Sequence, residues 1–304
     1  FSFGLFFWRN KMSIPAAYAA VVIVWSTTPL GVVWSSETVP PVMAALLRMS
    51  IAAVVGLLIL KWRRIHLPWN KQAMHVYGCS VLGIFGAMLC TYLAARSISS
   101  GLMSVLYGLS PLVSGLLSQR LLGDSSFTKM RWLATLVAVG GLVVICADDV
   151  VIGDDSWSGL MLVLIAVVLF SASGVLVKRS GVSLHPFAAT VGALLLSLPL
   201  FGVSLLLVDM PFMAVEWSTK SVMAIVYLAL FGSLIGFMSY FYVLQKLAPS
   251  TVALVTLITP VFAILLGALL NGETVGLSLI IGAGCVVMGL AIYHWADSFL
   301  AKWS

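Results

Sequence analysis

At 304 residues, 62% hydrophobic and 9% charged, with a mean hydropathy of +1.13, the chain is far more apolar than soluble domains, where about a quarter of residues are charged. A soluble globule cannot bury that much apolar surface, so a bilayer must be the solvent. The net charge of +6 does not point to nucleic acid, because the basic residues stand in short clusters between apolar runs, where they act as topology determinants.

Residues 1–11 precede a Met12-Ser13 pair that reads as a native start, and are treated as an extension or tag outside the fold. A membrane-spanning helix needs about 20 apolar residues. Ten runs meet that need: 14–34, 40–60, 73–95, 100–122, 130–147, 158–177, 187–208, 221–244, 250–271 and 277–296. Backbone groups in lipid must bond within their own segment, so runs this long and apolar predict helices. Cys79, Cys90, Cys146 and Cys285 lie inside apolar runs with no metal-like spacing, and read as packing residues.

The chain repeats itself. Shifted back by 149 positions, Gly232, Pro260, Leu265, Leu266, Leu270, Gly272 and Gly289 fall on Gly83, Pro111, Leu116, Leu117, Leu121, Gly123 and Gly140 without a gap. Thr259 falls on Ser110, and Glu273 on Asp124. The predicted fold is therefore all-α and integral to the membrane, with two five-helix repeats: 12–149, then 158–304 with a short tail, joined by an acidic outer linker at 150–157. With the amino terminus inside, 13 of the 16 Lys and Arg are cytoplasmic and only Arg96 and Lys220 lie outside, as the positive-inside rule requires; both termini are then cytoplasmic. Five is odd, so the second repeat enters the membrane upside down. An inverted pair of this kind places a substrate site near the midplane.

Pro111 and Pro260 interrupt spans 4 and 9 about midway and are expected to act as hinges, with Tyr107, Ser110, Thr256 and Thr259 turned toward substrate. The competing account is a static kink satisfied by the neighbouring hydroxyl. Trp25, followed by Ser26-Thr27-Thr28-Pro29, has a counterpart in Phe170-Ser171-Ala172-Ser173-Gly174. Such groups either line a cavity, with Trp25, Thr28, Phe170 and Ser171 on substrate, or simply let helices pack closely. Tyr92 and Tyr242 complete the candidate binding set. Arg48 sits inside span 2; its partner is a substrate carboxylate or a structural carbonyl cluster, with snorkelling to the outer interface as a rival, and the structural reading is taken.

No Asp or Glu falls within the ten spans, and His66, His75, His185 and His294 lie at or near the cytoplasmic side, so a proton relay through the core is not expected. Nor is there a phosphate-binding Gly-rich loop, a metal-ligand spacing, a nucleophile elbow or an acid-base constellation, so no cofactor, no metal and no enzymatic activity are expected.

Val24-Trp25-Ser26-Thr27, Arg48, Ser99-Ser100-Gly101 through Ser110-Pro111 to Leu122-Gly123-Asp124, and Pro249-Ser250 through Thr259-Pro260 to Gly272-Glu273 resemble the EamA-type, ten-helix branch of the drug/metabolite transporter superfamily over Ile14 to Asp297. Within that branch the Trp-Ser-Thr of span 1 is most similar to aromatic amino-acid exporters of the YddG type. The resemblance implies that Trp25, Tyr107, Ser110 and Phe170 face a central cavity; Ser110, where those exporters have a large aromatic, implies a roomier site. The expected function is an exporter or facilitator of amino acids and similar small metabolites in a bacterial inner membrane, working by alternating access as a monomer. Its partners are a small-molecule substrate (amino acids, drugs) and the lipid bilayer, with no nucleic acid. A multidrug or nucleotide-sugar carrier of the same fold is the alternative, and an intramembrane enzyme or lipid-binding structural protein the weakest reading.

Overall fold

The computed structural model of the chain describes residues 13–123, 129–146, 154–207, 216–253 and 255–300. Described residues outside the loops are helical: α1 (Ile14–Ser35), α2 (Pro41–Arg63), α3 (Lys71–Ala94), α4 (Ser100–Leu122), α5 (Lys129–Cys146), α6 (Asp154–Arg179), α7 (Pro186–Leu207), α8 (Thr219–Lys246), α9 (Pro249–Ala253), α10 (Val255–Asn271) and α11 (Leu277–Leu300). Among the described residues, α1 to α4 and α6 to α8 each hold a stretch long and apolar enough to cross a membrane, and α5, α10 and α11 hold shorter apolar stretches. Large apolar side chains cover the outside, with Leu206 and Leu207 each 80% exposed and Leu269 72%. That surface is stable only against lipid.

Polar residues set the helix starts. Ser13, Asn70, Ser99 and Ser218 each accept a hydrogen bond from the backbone N–H three residues on, capping α1, α3, α4 and α8. Gly123 after α4 and Gly272 after α10 both adopt the left-handed region, at φ 72° and 62°. These two glycines match in the 149-residue repeat, and each ends its helix where a Cβ would be strained.

The expected linker is shorter at its far end: α6 already begins at Asp154, so 154–157 are helical. Asp124 lies outside the described residues.

Packing interleaves the two halves. α1 packs on α8 and α10, just as α6 packs on α3 and the second part of α4. α2 packs on α7, the first part of α4 on α10, and α5 on α11. Exchanging each helix with its repeat equivalent maps this pattern onto itself. The α5–α11 contact is close because neither Gly141 nor Gly282 has a side chain: a Cβ on Gly141 would stand 2.6 Å from the Gly282 carbonyl oxygen. Small residues of this kind let membrane helices approach backbone to backbone.

Two helices carry a local widening of the turn. α3 is π-helical over Leu82–Ala87 and α8 over Leu228–Ile235. Shifted by 149, the first segment becomes 231–236 and overlaps the second. Single-turn π segments inside α-helices occur frequently at functional sites; Met88, next after the first segment, and Phe237, two residues after the second, line the cavity described next.

Candidate functional site

At the centre of the helices lies a cavity of about 70 Å³. α1 contributes Trp25, Thr28, Pro29 and Val32; α2 contributes Arg48; α3 and α8 contribute Met88 and Phe237. Met103, Ser104 and Tyr107 come from α4, Phe170 from α6, and Thr256 and Thr259 from α10. Met88 and Phe237 are repeat equivalents, and so are Tyr107 and Thr256. The cavity thus straddles the two halves. Ligand sites for small molecules usually measure about 300–1,000 Å³, so this cavity is small for a site of that kind.

Aromatic rings form one wall. Trp25 meets Phe170 edge to face at 5.4 Å between centroids and Tyr240 at 5.2 Å, while Phe170 meets Tyr240 at 5.3 Å and Tyr107 at 6.2 Å. The edge-to-face pairs put positive ring edges against negative faces, which holds the wall in one arrangement.

The hydroxyls are mostly committed. Thr28 donates to the Val24 carbonyl (2.9 Å), and Thr91 donates to that of Ala87 (2.7 Å). Thr91 Oγ1 and the Tyr107 hydroxyl share a further hydrogen bond of 2.7 Å, which ties α3 to α4. Pro29, inside α1, has no N–H to return to the carbonyl of Trp25, four residues before it. That carbonyl therefore lacks its usual helical donor.

Arg48 is 1% exposed. It does not snorkel, and among the described residues it meets no carbonyl cluster: Nε donates to Ser233 Oγ at 2.9 Å, and the guanidinium carbon stands 6.0 Å from the centroid of the buried Tyr92 ring. Its Nη1 is buried with no hydrogen-bond partner. Nη2 occupies space that only glycine leaves open, since a Cβ on Gly232 would lie 2.9 Å from it. No lining residue is acidic.

Six expected site residues meet at the cavity: Trp25, Thr28, Tyr107, Phe170, Thr256 and Thr259. The others lie elsewhere. Tyr92 is wholly buried beneath Arg48. Ser171 donates to the Ser110 carbonyl at 3.3 Å, so this pair joins α6 to α4 behind the cavity wall. Tyr242 is half-buried away from the lining.

The two prolines sit differently in their helices. α4 breaks before its proline, at Gly108-Leu109, and Pro111 stands in the first turn of the helix Ser110–Leu122, where its missing N–H costs nothing. Pro260 does not interrupt α10, which runs through it from Val255 to Asn271. Sequence reasoning passed over Met88, Phe237, Met103 and Ser104. The signal was present for the first two, because a shift of 149 pairs them.

Polar ties close both ends. At one, Gly272 turns the chain so that the Glu273 carboxylate caps α4: it accepts from the Ser100 N–H (3.2 Å), the Ser100 hydroxyl (2.8 and 2.9 Å) and the Gly101 N–H (3.3 Å). Beside it Trp34 donates to Asn271 Oδ1 at 2.8 Å, and Lys220 meets Glu37 at 2.6 Å. At the other end Lys178 donates to the carbonyls of Leu244 (3.0 Å) and Gln245 (3.1 Å) at the end of α8. Gln245 donates to the Leu184 carbonyl at 2.6 Å. Nearby, in the loop before α7, burial pushes the His185 imidazolium down from its usual range, which favours the neutral ring.

The sequence matches the EamA-like transporter family over residues 12–147 and again over 157–294. The chain belongs to the EamA-like transporter family. Its relatives include an uncharacterized inner membrane transporter, YedA, of Escherichia coli K12, at 25% identity over 93% of this chain and 91% of the relative. An uncharacterized transporter of Archaeoglobus fulgidus is 26% identical over 90% and 96%. YdfC of Bacillus subtilis, also an uncharacterized transporter, is 24% identical over 94% and 92%. A solved crystal structure shares the fold with a TM-score of 0.69 at 19% identity, over 93% of this chain and 98% of that one. The chain is thus an all-helical, multi-pass membrane protein of a transporter family.

Proposed function

We propose that this EamA-like transporter is an inner-membrane exporter or facilitator of amino acids and similar small metabolites, working by alternating access around the central cavity. The observation that carries the reading is the cavity itself, lined by repeat-equivalent residues of the two halves, Met88 with Phe237 and Tyr107 with Thr256. Inverted repeats bind substrate at such a midplane position and expose it by rocking one half against the other. The interleaved packing and the matched π segments support the repeat, and the distribution of Lys and Arg supports cytoplasmic termini. Aromatic faces and hydroxyls supply the contacts that a small amphipathic metabolite needs.

The absence of carboxylates from the lining favours facilitation over tight proton coupling. Uptake of labelled threonine, methionine and phenylalanine into liposomes containing the purified protein tests this directly. Flux should appear without a pH gradient. Tyr107→Ala, which removes a lining ring and the tie to Thr91, should lower it by about tenfold or more, since an aromatic contact and a hydrogen bond are each worth about 1 kcal/mol. Flux that appears only with an imposed gradient would sink facilitation, and no flux of any amino acid would move the substrate to another class.

A further inference from the structure

Arg48 holds an unmatched positive charge. It is 1% exposed, yet none of the lining residues is acidic, and its one charge-assisted partner is a neutral hydroxyl, Ser233. Nη1 is buried without a partner and belongs to a side chain that lines the cavity. An uncompensated ion in a low-dielectric interior is costly, and within a membrane such a residue marks a substrate pathway or pairs with a partner. Two features hold it in place at that cost. The Nε bond to Ser233 fixes the plane of the guanidinium, and Gly232 vacates the space that Nη2 fills. Guanidinium groups present paired donors matched to carboxylates, and such bonds are stronger than neutral ones.

We propose that Arg48 is the anion-recognising residue of this cavity, and that the transported class is defined by a single carboxylate, its ammonium group being dispensable. The inference rests on the reading of the cavity as the transport site. The charge balance selects the class. A monocarboxylate neutralises Arg48, whereas a doubly anionic nucleotide sugar leaves a net negative charge in an apolar chamber. An amine without a carboxylate adds a second positive charge within the same low-dielectric space, where repulsion is weakly screened. The threonine hydroxyls can accept from a substrate ammonium, but they are neutral, so that end contributes less. The rings of Trp25, Phe170 and Phe237 take the apolar part.

Phenylalanine, 3-phenylpropionate and phenylethylamine differ only in which charged end they keep, and thus serve as probes. In counterflow of labelled phenylalanine into proteoliposomes, 3-phenylpropionate should compete within about tenfold of phenylalanine. Phenylethylamine should be weaker by on the order of 10- to 100-fold, the worth of a hydrogen-bonded charge pair. Arg48→Gln should abolish that discrimination, and Arg48→Lys should retain part of it, because it keeps the charge and loses the planar fork. Binding of the same three compounds to detergent-solubilised protein, read as a shift in unfolding temperature, gives a second readout that needs no flux. If no amino acid is transported but 3-phenylpropionate stabilises the parent and not Arg48→Gln, the amino-acid reading fails and the assignment of Arg48 stands. Phenylethylamine competing as well as the acids, or an Arg48→Gln protein that still prefers carboxylates, would overturn the assignment; should Arg48→Gln not fold, Arg48→Lys with undiminished carboxylate preference would do the same.

Discussion

The smallest decisive feature of this transporter is a missing side chain. Gly232 lies in the π-helical part of α8, and its bare Cα lets Arg48 extend from α2 to reach Ser233. An added methyl would come within 2.9 Å of Nη2, closer than real Cβ contacts allow, so the guanidinium must move. Gly232→Ala should therefore disturb the cavity while leaving the helix intact, since Ala is the better helix former. The expected result is a normal unfolding temperature, within about 1 °C per few tenths of a kcal/mol, together with reduced binding of carboxylate probes. Unchanged binding would show that the position of Arg48 has no bearing on the site. Arg48 also shows where residue-level reading stops. Its place inside a span was legible, and so was the choice between a substrate carboxylate and a structural partner. What the sequence could not show is that Nη1 is buried with no hydrogen-bond partner among the described residues, because Arg48 is held by Ser233, 185 positions away in sequence.

At the scale of helices, the junction of α10 with α4 is the strongest polar tie between the halves. The carboxylate of Glu273 receives two backbone N–H groups and a hydroxyl at the start of α4, where the helix dipole favours an anion. It tucks in over Gly267, at which any Cβ would collide with it. Glu273→Ala should lower stability by about 0.5–2 kcal/mol, the usual worth of a cap, and Glu273→Gln should restore part of it because the amide oxygen still accepts. Thermal unfolding in detergent checks both; equal stability of parent and Glu273→Ala would mean that the cap is replaced by water at no cost. The same scale explains two departures from expectation. Proline was read as the site of interruption in both repeats, yet α4 breaks at Gly108-Leu109 and α10 runs on through Pro260. A proline in a first turn reports a helix that begins there, and a proline in an interior reports one that tolerates a lost bond; sequence alone does not separate the two. The π segments were likewise illegible, because they leave no mark on hydropathy. Only the matched glycines, Gly83 and Gly232, hint that something repeats there.

For the whole molecule, apolar run length was enough to anticipate a helical membrane protein and the gapless repeat to anticipate two related halves, while the family came from the motif resemblance. The membrane-facing skin and the interleaved halves follow that plan. The cavity was only partly foreseen, because its lining comes from seven helices and its members are selected by how those helices face each other. The expectation of Tyr107 with Thr256 came from the prolines beside them, and Met88 with Phe237 had no polar atom to draw notice.

The account stands on the claim that this cavity is reached alternately from the two membrane faces. The direct measurement places a single cysteine at Thr256 in a protein whose Cys79, Cys90, Cys146 and Cys285 are replaced by alanine, and follows its labelling by a membrane-impermeant thiol reagent in right-side-out and inside-out vesicles. The account predicts labelling from both sides, slowed on both by a transported carboxylate. Labelling from one side alone, in vesicles that still carry flux, would contradict it.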